Sequence, residues 1–234
     1  MSTGDRRPAT GNRQPTRWVV ALMATAALGF VAPARAEGDA GAPAAPDREK
    51  LEGEKLDALL ADIAKARKGV KAMKASFTQE RKLTLLATSV KSSGQMTFVA
   101  PDRLRWELAA PDDVIYWIGP EGLSYRTKSS SATVPQGGAN VAKALADLRA
   151  LLGGDLSTLK ERYTLAGAKG ANDVEVSGAA KDPKASVKAF TLVLDKTMTL
   201  PVRATLLEGK KDSIEIAFSN PVLNPTVDPA AMRP

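Results

Sequence analysis

The 234-residue chain is 44% hydrophobic and 5% aromatic, and it contains neither cysteine nor histidine, which removes imidazole bases, thiolate nucleophiles, disulfides, His/Cys metal cages and a lipid-modified cysteine. The formal charge of +7 overstates any basic surface: residues 1–36 hold five arginines and one aspartate, and without them 28 basic residues face 25 acidic ones, a net of +3 that implies no nucleic-acid partner. With no imidazole or thiol to do chemistry, an enzyme is the least favoured class and no cofactor is expected.

Arg6, Arg7, Arg13 and Arg17 precede an apolar run over residues 18–32, and Ala34-Arg35-Ala36 places small residues around a cleavage point near Ala36. Residues 1–36 therefore read as a secretory signal, too short and Ala-rich in its apolar part for a span of ~20 residues. Pro8-Ala9-Thr10 after Arg6-Arg7 lacks the apolar residues of a twin-arginine signal, which favours ordinary export to the periplasm. Residues 37–46, made of Gly, Ala, Pro, Asp and Glu, form a flexible leader, and residues 47–234 form one folded domain.

From Asp47 the apolar residues Leu56, Leu59, Leu60, Ile63, Val70 and Met73 recur at helical spacings, which predicts an amphipathic helix of about 25 residues. Its lysines Lys50, Lys55, Lys65, Lys68, Lys71 and Lys74 read as a solvated face. After Ala75 the period falls to two. Strands are predicted over 75–86, 94–99, 103–108, 113–118 and 123–126, with turns at Pro101-Asp102 and Gly119-Pro120-Glu121-Gly122. Leu104, Trp106 and Leu108 share one face of the third strand, and Arg103, Arg105 and Glu107 the other.

Residues 129–138 read as a mobile Ser- and Gly-rich loop. A second amphipathic helix follows, capped at Asn140, striped by Val141, Leu145, Leu148, Leu151 and Leu152, and stopped by Gly153-Gly154. Strands return over 162–166, 173–177, 187–194, 201–207 and 213–218, with Phe190, Leu192 and Leu194 on one face and Ile214, Ile216 and Phe218 on another. The Pro-rich tail from 220 onward is expected to be irregular. About ten antiparallel strands and two helices make a mainly β (α+β) fold, an incomplete antiparallel barrel or curled sheet whose concave apolar face is covered by the helices. Asp112, Asp113 and Asp147 are carboxylates without an evident partner, and Gly137-Gly138 and Gly153-Gly154 lack the context of a phosphate loop.

Ala75-Ser76-Phe77-Thr78-Gln79, then Gly94-Gln95-Met96-Thr97-Phe98, Pro101 with Trp106, Pro111, and Gly119 to Tyr125 stand in an order and spacing that resembles the LolA family, the periplasmic carriers that move lipoproteins from the inner to the outer membrane. Element order extends the resemblance over residues 51–218. It implies an apolar cavity that takes the acyl chains of a lipoprotein, received from an inner-membrane ATP-driven extractor and handed to an outer-membrane acceptor by a monomeric carrier. Met96, Phe98, Leu104, Trp106, Leu108, Phe190, Leu192, Ile214, Ile216 and Phe218 are the candidate wall, and Leu60, Ile63, Val141, Leu145 and Leu148 the candidate lid. Alternation alone fits ordinary core at these positions equally well. In relatives an arginine that helps latch the lid precedes the second hairpin's proline; here Ala100 precedes Pro101, leaving the lid to packing. Glutamate at Leu104 or Trp106 is expected to weaken acyl binding without unfolding the chain, and residues 129–138 are the candidate hinge. The alternatives are a periplasmic lipid- or glycolipid-binding sensor and a non-enzymatic regulatory scaffold on the same half-barrel.

Overall fold

A computed structural model describes residues 48–84, 87–135, 140–153, 156–209 and 211–234, with the backbone alone over 134–135 and 140–146. The predicted secretory signal, residues 1–36, and the predicted leader, residues 37–46, lie outside the described residues. Among the described residues are twelve strands and two α-helices: β1 Glu49–Leu51, α1 Glu54–Arg67, β2 Ala72–Leu83, β3 Thr88–Val99, β4 Arg103–Leu108, β5 Val114–Gly119, β6 Gly122–Arg126, β7 Ser131–Pro135, α2 Asn140–Gly153, β8 Tyr163–Lys169, β9 Asp173–Ala180, β10 Val187–Asp195, β11 Pro201–Glu208 and β12 Asp212–Leu223. They form one sheet in the order β1-β8-β9-β10-β11-β12-β2-β3-β4-β5-β6-β7. Neighbouring strands are antiparallel, as at the joint where β12 pairs β2. The sheet is not closed into a barrel; β1 and β7 stand at its edges.

Alternation places one side chain in two on the concave face. Along β4 the burial pattern alternates strictly, with Leu104, Trp106 and Leu108 inside, while Arg103 pairs with Glu121 and Arg105 with Glu107 on the convex side. The concave side chains join those of α1 and α2 in one continuous core, the arrangement a single-faced sheet needs to bury its apolar side.

The predicted first helix was too long. It spans 14 residues: residues 49–51 pair with β8 as an edge strand, and Met73 lies in β2 opposite Phe98. Met73, Ala75 and Phe77 alternate with period two, so strand pairing with β3 overrides the helical spacing that links Met73 to Ile63. The stretch 129–138 is not wholly a loop, because residues 131–135 pair with β6 as an edge strand; residues 136–138 lie outside the described residues.

The tail is also ordered differently than expected. β12 continues to Leu223 through a register shift between Ser219 and Val222, where Asn220 has φ 49° and Pro221, lacking an N–H, is tolerated at a bulge. Asn224 Oδ1 then accepts from the Lys71 and Ala72 N–H groups at 2.7 and 3.2 Å while its Nδ2 donates to the Gly69 carbonyl. A 3-10 turn at Pro229–Met232, capped by Asp228, follows. It lies on the convex side, where Met232 is buried and Trp117 Nε1 donates to the Ala231 carbonyl.

Gly94 shows how closely β3 is held between its neighbours β2 and β4. A Cβ there would lie 1.8 Å from the Glu107 carbonyl oxygen and 2.8 Å from Phe77 Cζ. Gly94→Ala is expected to destabilise the protein by about 2 kcal/mol or more, because the β3–β4 ladder must shift and the Phe77 ring must move with it. A urea unfolding midpoint unchanged from the parent would contradict this packing.

Candidate functional site

The inward face of the sheet is built around an aromatic centre. Phe77 stacks on Trp106 with ring centroids 3.8 Å apart, and Phe218 meets Trp106 edge-on at 6.3 Å. Phe218 sits opposite Phe77 on β12, Met96 opposite Trp106 on β3, and Tyr116 opposite Trp106 on β5. Strands far apart in the chain therefore converge on one apolar surface.

The ten predicted wall residues fall into two groups. Met96, Phe98, Leu104, Trp106, Leu108, Phe190, Leu192 and Ile216 are between 0 and 3% exposed and lie within the core. Ile214 and Phe218 are only half-buried at its border. By register and alternation, Val90, Val114, Tyr116 and Tyr125 extend this half-buried border on the same concave face. These four were not singled out from sequence; the period-two alternation of Val114, Tyr116 and Ile118 was the available signal for two of them.

Of the predicted lid, Leu60, Ile63 and Leu148 are 4% exposed or less and pack into the core. The side chains of Val141 and Leu145 lie outside the described residues. Helix α1 rests on β8, where a Cβ on Gly167 would meet Leu59 and Leu56 within 3.2 Å. The last residue of α2, Gly153, lies beside Phe98 and Pro101. Asp147, which looked partnerless in sequence, anchors α2 instead: Tyr163 Oη donates to it at 2.7 Å and Arg162 completes an ion pair. Burial and this carboxylate push the Tyr163 phenol well above its usual pKa. Asp113 pairs with Lys128.

The helices are tied by a residue the sequence reading passed over. Arg67, four residues beyond Ile63 on the buried side of α1, is 6% exposed, and its Nη1 donates to the Leu151 carbonyl in the last turn of α2 at 3.3 Å. Burial lowers its pKa to about 10, an effect that Asp195 partly offsets. A cation interrupting an apolar stripe was the sequence signal. With Ala100 before Pro101, the predicted lid helices are thus not held by packing alone, although Arg103 and Arg105 are turned outward and paired.

A second polar feature lies on the concave side of β2. Beyond the apolar Met73, Ala75 and Phe77, the inward positions become Gln79 and Arg81. Gln79 Nε2 donates to Ser92 Oγ at 2.9 Å, and Arg81 Nη2 to Glu208 Oε2 at 2.9 Å. An open cleft lined by Leu83, Thr84 and Thr88 among others lies at the β2–β3 hairpin tip, outside this helix-covered region. No helix among the described residues is long and apolar enough to cross a membrane.

No curated protein sequence matches the chain. Among solved structures, a LolA superfamily protein from Nitrosomonas europaea is similar at 8% identity and TM-score 0.41, over 73% of this chain and 94% of that one. Lipoprotein LppX of Mycobacterium tuberculosis is similar at 18% identity and TM-score 0.41, over 74% and 98%. The Pseudomonas aeruginosa MucA/MucB complex gives 14% identity and TM-score 0.42, over 75% and 59%. The family described as outer membrane lipoprotein carrier protein LolA matches residues 68–233, the span from the end of α1 through every strand of the sheet but β1, and the chain belongs to the LolA family.

Proposed function

We propose that this protein binds acyl chains of lipoproteins on the concave face of its sheet and ferries them, as a periplasmic monomer, from an inner-membrane ATP-driven extractor to an outer-membrane acceptor. The observation that carries the proposal is the half-buried apolar border of Val90, Val114, Ile214 and Phe218, which continues the core of the open sheet toward solvent. An acyl chain laid there would bury apolar surface on both partners, and lifting α1 and α2 would extend the track over Trp106 and Phe98.

The energetics fit a carrier loaded by an external machine. Each buried methylene is worth ~0.8 kcal/mol, so a sixteen-carbon chain represents roughly 12 kcal/mol in a bilayer. A half-open groove matches that poorly, so extraction requires work and release to a membrane acceptor runs downhill.

Organic extraction of gently purified protein is expected to recover acyl lipid, and a fluorescent fatty acyl probe is expected to bind. Ile214→Gln and Phe218→Gln should each weaken the probe about tenfold, corresponding to about 1.4 kcal/mol, with the urea midpoint lowered far less than by truncating a fully buried wall residue, because both side chains are half-buried. Absence of co-purified lipid together with no probe binding would overturn the carrier proposal.

A further inference from the structure

Most of the concave face is apolar, yet it carries an ion pair. Arg81 lies on β2 between Val90 of β3 and Ile214 of β12, and Glu208 follows the buried Leu206 by two residues on β11. Their side chains reach across β12 to meet at 2.9 Å and retain only 28% and 21% of their exposure. Tyr116, opposite Trp106, senses the Arg81 charge, which opposes the upward shift of its phenol by burial and Asp112. Guanidinium and carboxylate thus meet on the concave face from two strands that β12 separates. Partial burial of two charges carries a desolvation penalty that a hydrophobic pair at the same positions would avoid.

We infer that Arg81 and Glu208 form a polar subsite for the uncharged ester and amide groups adjoining the acyl chains of the cargo, and that the pair discriminates against anionic headgroups. The inference rests on the acyl-binding proposal and adds to it the chemistry of the bound molecule's polar end. A guanidinium on its own would favour a carboxylate or phosphate. Here its charge is balanced by Glu208, so an incoming anion must compete for Arg81 while facing a carboxylate. An ester or amide carbonyl can accept from guanidinium, and an amide N–H or glycerol hydroxyl can donate to Glu208, without either penalty. Gln79 and Ser92, hydrogen-bonded to each other at 2.9 Å, continue the polar band beside the half-buried apolar border on which the chain would lie.

Displacement of a fluorescent acyl probe by monopalmitoylglycerol and by palmitate, each below its aggregation concentration, tests this. The parent protein is expected to bind the glycerol ester at least tenfold more tightly than the anion. Glu208→Gln, which unbalances Arg81, should raise palmitate affinity about tenfold. Arg81→Met should weaken the ester without improving palmitate. Equal affinities for the two ligands in the parent protein overturn the subsite, as does an ester-to-anion ratio unaltered by both variants. If neither ligand nor probe binds the parent protein, the acyl-binding proposal itself fails; selective loss of the ester preference alone leaves that proposal standing.

Discussion

Trp106→Ala is expected to lower stability by about 3–5 kcal/mol, read as a large drop in the urea unfolding midpoint. The indole is 3% exposed, stacks on Phe77 and receives Phe218 at its edge. Truncation would leave a void flanked by strands whose backbones are locked in register with their neighbours, so the site cannot readily collapse. A loss below about 1 kcal/mol would mean that the indole faces vacant space, as a pure cavity lining would, and that Phe77 and Phe218 do not rely on it. The same burial revises the expectation for glutamate at positions 104 and 106. Leu104 is 1% exposed, and a carboxylate at either place would be desolvated without a partner. Such variants are expected to unfold rather than to report on ligand binding, which moves the informative substitutions to Ile214 and Phe218.

Much of this architecture was legible where a strand buries a single face. Leu104-Arg105-Trp106-Glu107-Leu108 declares its inner side in the sequence, and β4 obeys it. Helix α2 was equally readable, since its apolar stripe lies between Asn140 and Gly153 and the helix spans those residues. Where two periods coexist, sequence alone misleads. Met73 satisfies both the helical spacing from Ile63 and the alternation with Phe77, and only pairing with Phe98 decides between them. The inward Arg81 was hidden for a related reason: Glu80-Arg81-Lys82 presents three charges in succession, so no alternation marks the middle one as concave. The division of the predicted wall into core and half-buried border depends on long-range register between β12 and β2, which no local pattern encodes.

Arg67→Met is expected to raise stability at pH 7 by about 1–3 kcal/mol while loosening the helices over the sheet. Burial holds the guanidinium pKa near 10, well below its usual value, a disfavoured charge worth roughly 3 kcal/mol. Its compensation among the described residues is small: one bond to the Leu151 carbonyl at 3.3 Å, with Nη2 lacking a hydrogen-bond partner there. Asp195, the opposing charge, already accepts from the Thr199 and Leu200 N–H groups, so removal of Arg67 strands no carboxylate. Methionine fills the space of the stem without the desolvated charge. The pH dependence follows from the lowered pKa. Above about 10 and up to the ordinary guanidinium pKa the unfolded chain binds the extra proton, so the penalty is fully present below 10 and fades as pH rises through that window. The stability difference between variant and parent should therefore be flat from pH 6 to 9 and shrink above 10. A variant less stable than the parent by more than 2 kcal/mol would show that the bond to Leu151 outweighs desolvation. If the variant is more stable and also takes up the acyl probe faster, the guanidinium acts as a weak catch between the last turns of α1 and α2, one whose single long hydrogen bond opens more readily than the apolar packing around it.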